Sequence, residues 1–139
     1  MDDLLLSVLE DTDFLKPYIK QFSKYFNQDS KLVEISPKSN KYIEYLKELN
    51  INIEEYNNQN NIDGILLINT NEYIDKTEEL FEIINNILKE EGYIFFRIRN
   101  KNYLLEKIEY HLLNNYKLVE EFINDDNWNF LLYQKSTIK

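Results

Sequence analysis

The stretch Leu5-Leu6-Ser7-Val8-Leu9-Glu10-Asp11-Thr12-Asp13-Phe14-Leu15 decides how this chain is read. The apolar run over residues 4–8 suits a central parallel strand buried on both faces. Polar residues then interrupt it. Asp13 can cap a helix whose apolar positions Phe14, Tyr18, Ile19, Phe22 and Phe26 recur at helical spacing. Pro17 falls in the first turn of that helix, where its missing N–H is tolerated. The unit is a strand, a tight turn and a helix.

The same unit repeats downstream. Residues 31–35 (K-L-V-E-I) predict a second strand, and Tyr42, Ile43, Tyr45, Leu46 and Leu49 line one side of a second helix, with Ser36 or Ser39 as its cap. Residues 51–56 alternate and predict a third strand, placed at an edge by its polar face. After the polar loop 57–61, the continuous apolar centre of residues 62–69 predicts another buried strand. From Asp75, helical spacing resumes through Leu80, Ile83, Ile84, Ile87 and Leu88, with Asp75 or Thr77 as the cap. Gly92 is expected at the left-handed position closing that helix. A strand over 93–98 and a helix over 102–114 follow. Strand candidates 116–123 and 128–134 are separated by four residues, too few for a helical crossover, so they pair antiparallel.

Composition narrows the function. The 139 residues suit one domain spanning 1–139, and a hydrophobic fraction of 43% supports a packed core rather than disorder. A net charge of −9 without a cluster of Lys and Arg argues against direct nucleic-acid binding. The chain has no cysteine, which excludes disulfides, thiol nucleophiles and thiolate metal sites. With two glycines and two prolines, asparagine is expected to fill turns that need positive φ. The N-terminus lacks the basic region of a secretory signal, and no run reaches the roughly 18 to 20 apolar residues of a membrane span. A cytoplasmic protein without membrane contact is expected.

Other candidate sites have simpler explanations. Asp11-Thr12-Asp13 and Asp125-Asp126 could supply carboxylates to a metal, but a helix cap and a hairpin turn account for them, so no metal site is expected. His111, the single histidine, falls beyond Leu104 and Ile108 on the last helix and is expected to sit half-buried beside the core rather than to work as an acid or base.

Taken together, L-L-S-V-L-E-D-T-D-F-L, V-E-I-S-P, I-D-G-I-L-L-I-N and L-K-E-E-G-Y-I, with the terminal hairpin, resemble the class I S-adenosylmethionine-dependent methyltransferases over nearly the whole chain. The first unit of that family runs roughly V-L-D-x-G-x-G-T-G-F-L. The resemblance implies a Rossmann-like three-layer α/β/α sandwich with a mostly parallel seven-stranded sheet, order 3-2-1-4-5-7-6, and an antiparallel C-terminal hairpin. Residues 4–8 would be its first strand, so the member would be minimal, with no helical segment ahead of the sheet.

In that register the family's three glycines fall on Leu9, Asp11 and Asp13. The methionine end of the cofactor lies against bare backbone there, and the turn needs conformations that side chains resist. Glu34 would hold the ribose, and Asn69 and Tyr73 would lie in the loop facing the substrate. The resemblance with its glycines lost implies a degenerate domain, without S-adenosylmethionine chemistry, that binds a protein partner or forms a homo-oligomer. The alternative is an active small methyltransferase with an atypical first motif, which would use S-adenosylmethionine.

Overall fold

The computed structural model describes residues 16–35, 40–68, 76–99, 103–112, 115–123 and 128–136. The elements are α1 (Lys16–Ser23), β1 (Lys31–Glu34), α2 (Lys41–Glu48), β2 (Asn52–Glu55), β3 (Ile62–Leu67), α3 (Thr77–Ile87), β4 (Leu88–Arg99), α4 (Tyr103–Leu112), β5 (Tyr116–Ile123) and β6 (Trp128–Lys135). Six strands form one sheet in the order β2-β1-β3-β4-β6-β5. The first four in that order run parallel, and β6 is antiparallel to both β4 and β5.

Alternation along the strands sends successive side chains to opposite faces. On one face Leu32, Leu66, Phe95 and Phe130 pack with Ile19 and Phe22 of α1 and Tyr42, Ile43 and Leu46 of α2. On the other, Val33, Ile65, Phe96 and Leu131 pack with Leu80, Phe81 and Ile84 of α3 and Leu112 of α4. Both faces of β3 and β4 are therefore buried, which is why their sequences read as continuous apolar runs. The fold is a three-layer, Rossmann-like α/β sandwich with the expected C-terminal hairpin.

The strand order corrects the expectation in one respect. An order of 3-2-1-4-5-7-6 gives residues 4–8 the place between 31–35 and 62–69. That place is closed: β1 pairs directly with β3, Leu32 opposite Gly64 and Glu34 opposite Leu66, and the Ile35 amide donates to the Leu66 carbonyl at 3.0 Å. A strand edge bonds one neighbour on each side, and β1 already has β2 on its other side. The described sheet thus has six strands rather than seven. The predicted strand over 4–8 lies outside the described residues. The helix expected after it is present as α1, which packs on the sheet through Ile19 and Phe22.

Local details differ as well. Gly92 does not close α3: that helix ends at Ile87, β4 begins at Leu88, and the left-handed residue is Glu91 at φ 67°. Gly92 sits in a crowded place, since a Cβ there would lie 2.6 Å from Leu88 Cδ1 and 3.0 Å from the Lys89 carbonyl oxygen. Thr77 is the first helical residue of α3 rather than its cap, which is Lys76 with no side-chain cap bond, while Asp75 lies outside the described residues. At α2 the cap position is Asn40, again without a side-chain cap bond, and Ser36 and Ser39 are not described. Among the described residues the other left-handed positions outside glycine are Asn50, Asn58 and Asn61, so asparagine does serve turns.

The route from β2 to β3 is unusually short for a parallel crossover, which ordinarily takes a dozen or more residues and a helix. Here residues 56–61 suffice, with Asn58 at φ 62° and Asn61 at φ 54° bending the strap. Tyr56 packs it onto the core layer containing Val33.

Candidate functional site

In an open parallel sheet, ligands bind outside the carboxyl ends of the strands, where the order of strand addition reverses. The reversal here lies at β1. The chain leaves β1 through α2 to build β2 on one side, then returns to add β3 on the other. The described border of that crevice is the carboxyl ends of β1 and β3.

Glu34 ends β1 and is only 1% exposed. Its backbone is held from both sides: its carbonyl accepts from the Tyr56 amide at 2.9 Å, and the next amide, Ile35, donates to Leu66. Its register partner on β2 is Glu55, so the two carboxylates project from the same face of neighbouring strands. Glu55 is exposed at the sheet edge, where its carbonyl accepts from Gln59 Nε2 at 3.0 Å. Ile68, buried just past β3, supplies the apolar floor beside them.

Arg97 stands on the far side of β3 and is the buried cation of the described sheet, at 5% exposure. Leu67 pairs with Phe96, so Arg97 lies one step further toward the carboxyl end, at the level of Ile68. Phe95 belongs to the same layer as Leu66 and Phe130, and alternation places Arg97 on that face, shared with Glu34. The site so described carries acid on its β1–β2 side and a guanidinium on its β4 side, across an apolar floor.

Of the residues expected from the sequence, Glu34 stands at the switch point. Leu9, Asp11, Asp13, Asn69 and Tyr73 lie outside the described residues. Asn40, which precedes α2, has φ −86° and ψ 8°, a negative φ that does not call for glycine. Sequence reading missed Arg97 and Glu55. A cation inside the apolar run Y-I-F-F-R-I was the available signal for Arg97. His111 is half-buried and stacks on Phe81 at 4.9 Å, beside the core as expected. Among the described residues no group of three His, Asp or Glu side chains could hold a metal ion, and no helix is long and apolar enough to cross a membrane.

No protein-family model matches the sequence, and no curated protein matches it. Solved structures do. The 1,6-didemethyltoxoflavin-N1-methyltransferase of Burkholderia thailandensis, solved with S-adenosylhomocysteine, matches with a TM-score of 0.71 at 9% identity, over 93% of this chain and 81% of that one. A SAM-dependent methyltransferase from Aquifex aeolicus matches with a TM-score of 0.63 at 12% identity, over 97% of this chain and 99% of that one. A protein of the NADB-Rossmann superfamily from Streptococcus agalactiae matches at 0.58 and 11% identity, over 87% and 68% of the two chains. This chain has the Rossmann-like fold of the class I S-adenosylmethionine-dependent methyltransferases.

Proposed function

We propose that the chain binds an S-adenosyl ligand at the switch-point crevice and works as a small methyltransferase with an atypical first motif. The observation that carries this reading is Glu34, a carboxylate kept buried at the end of the switch-point strand. Burying an acid is costly and contributes little to a core, so its retention favours a binding role.

The relocated switch point changes the electrostatics. Aligned on β1, the family pattern V-L-D-x-G-x-G-T-G falls on residues 32–40, with Glu34 on the acidic position, Ser39 on the threonine and Ser36, Lys38 and Asn40 on the glycines. The glycines are absent in this register too. Lys38 is of the right sign for the ligand's carboxylate. Asn40 needs no glycine at its observed φ.

An acid about 20 residues after the first turn holds the ribose in dinucleotide-binding folds of this type. Glu55 occupies that place, opposite Glu34. Glu34 then serves the ammonium end of the ligand, and Glu55 rather than Glu34 serves the ribose. The ligand supplies an activated methyl group. The chain's own part is to bind and orient, which is where most of the acceleration in such a transfer lies.

Calorimetric titration with S-adenosylmethionine and S-adenosylhomocysteine tests the reading. Micromolar binding is expected, weakened at least about 10-fold in Glu34→Ala, the loss typical of a charge-assisted hydrogen bond. Absence of heat at millimolar ligand would refute it.

The second reading is the degenerate domain that acts through a protein partner or a second copy. What favours it is the loss of all three glycine positions and the excess acidic charge of −9, which suits a basic or neutral partner. A stoichiometric partner captured from cells, or a dimeric solution mass, together with silence toward both ligands, is the outcome it expects.

A further inference from the structure

We propose that the hollow between the strap 56–61 and α3 is a docking surface for a basic amphipathic helix of a partner protein. The proposal is independent of what the switch-point crevice binds.

The hollow follows from the short crossover. Helix α2 carries the chain from β1 to β2 across the face of Leu32 and Leu66. The step from β2 to β3 passes over β1 in the reverse direction, so a right-handed crossover belongs on the opposite face, the one that α3 covers. A helix ordinarily fills such a crossover and adds to the outer layer. Here the strap makes the passage, held at Tyr56 by the layer containing Val33. Strand β2 gives that layer no described residue, since Ile53 belongs to the other one and Asn52 and Glu54 are exposed. Among the described residues the outer layer therefore stops at α3, and between α3 and the strap lies a hollow of about 340 Å³. Tyr56, Ile83 and Ile87 form its apolar part, and Glu79, Glu82 and Asn86 its rim.

The shape suits a helix. The α3 positions 79, 82, 83, 86 and 87 repeat at the spacing of one helix face over two turns, so the groove runs along α3. A second helix laid beside α3 follows that line, with apolar side chains at i, i+3 or i+4 and i+7 entering over Ile83 and Tyr56.

Charge defines the chemistry of the occupant. Residues 48–88 contain nine Asp and Glu and a single Lys, Lys76, which puts eight of the nine net negative charges on less than a third of the chain. No Lys or Arg lines the hollow, and among the described residues neither Glu79 nor Glu82 is ion-paired. The hollow on the strap's other side is lined by Lys31 as well as Glu54 and shows no such bias. A second copy of this chain would bring the same acid to this face. A helix with Lys and Arg flanking its apolar stripe meets opposite charge at the rim.

The test uses the full chain and three synthetic helical peptides: one with Leu at i, i+3, i+4 and i+7 and Lys elsewhere, one with Glu for Lys, and one with Ser for Leu. By fluorescence anisotropy the first is expected to bind, more weakly as salt rises, and at least about fivefold tighter than either of the others. Its amide shifts on the protein are expected to centre on Tyr56, Ile83 and Asn86. Glu79→Lys with Glu82→Lys, both exposed, is expected to weaken binding at least about fivefold. Glu44→Lys with Glu48→Lys, the same change of net charge on α2, is expected to leave it within about twofold. Equal losses from the two charge pairs, equal binding of the three peptides, or shifts centred elsewhere would overturn the proposal. So would failure of the first peptide to bind, or a dimer with this hollow at its contact, which makes a second copy the occupant.

Discussion

Glu34 shows how much a single residue discloses. An acid ending an apolar strand was legible, but its depth and its neighbours were not, because both come from β2 and β3, which are distant in sequence. Gly64 and Gly92 make the same point. Neither has positive φ, so neither is needed for its turn. A Cβ at Gly64 would come within 2.5 Å of Phe26 Cζ and 3.0 Å of Leu32 Cγ, where the segment after α1 crosses the sheet. Gly64→Ala is therefore expected to destabilise the fold by about 1–3 kcal/mol through overpacking, read as a lower urea midpoint at unchanged slope. A second substitution, Phe26→Leu, should recover part of that loss by opening the space.

Among the elements, the passage from α3 to β4 is the least conventional. Helix gives way to strand between Ile87 and Leu88 with no loop, so the last carbonyls of α3 need donors from elsewhere. Lys135 of β6 bridges the junction: its Nζ donates to the Asn85 carbonyl of α3 at 3.1 Å and to the Leu88 carbonyl at the start of β4 at 2.9 Å. A cation at a helix C-terminus is also favoured by the helix dipole. Lys135→Met keeps the apolar stem and removes the charge. It is expected to cost about 1–2 kcal/mol in chemical denaturation and to speed hydrogen exchange at the end of α3. The Lys-Glu-Glu-Gly ending that predicts a capped helix instead forms a bulge. Strand β4 advances five positions, from Leu88 to Tyr93, while β3 advances two, from Ile62 to Gly64.

On the scale of the whole molecule, tyrosines knit the sheet to the helices and set its alkaline limit. Tyr25 donates to Glu120 across the sheet, and burial with that bond pushes its hydroxyl up from 10.0 to about 12. Burial, reinforced by Glu109 and Glu121, pushes Tyr133 up to about 12, and burial raises Tyr116 further still. A raised folded-state value favours the protonated native form, so this contribution is whole below about pH 10 and is lost as pH climbs from 10 toward 12. Denaturation midpoints are expected to fall over that window, and tyrosinate absorbance to rise late and together with unfolding. The sequence by itself determined the alternation of strands and helices, which face of each is apolar, the edge position of β2 and the antiparallel hairpin, because period, turn chemistry and loop length are local. Only the tertiary structure decided which strand stands at the reversal of the sheet. The apolar runs at 4–8 and 31–35 have the same local pattern, and no residue in either states its neighbour. The pairing of β1 with β3 is a long-range choice, set by hydrogen bonds such as Ile35 to Leu66 and by the fit of Phe26 over Gly64. That choice puts the reversal of strand order at β1.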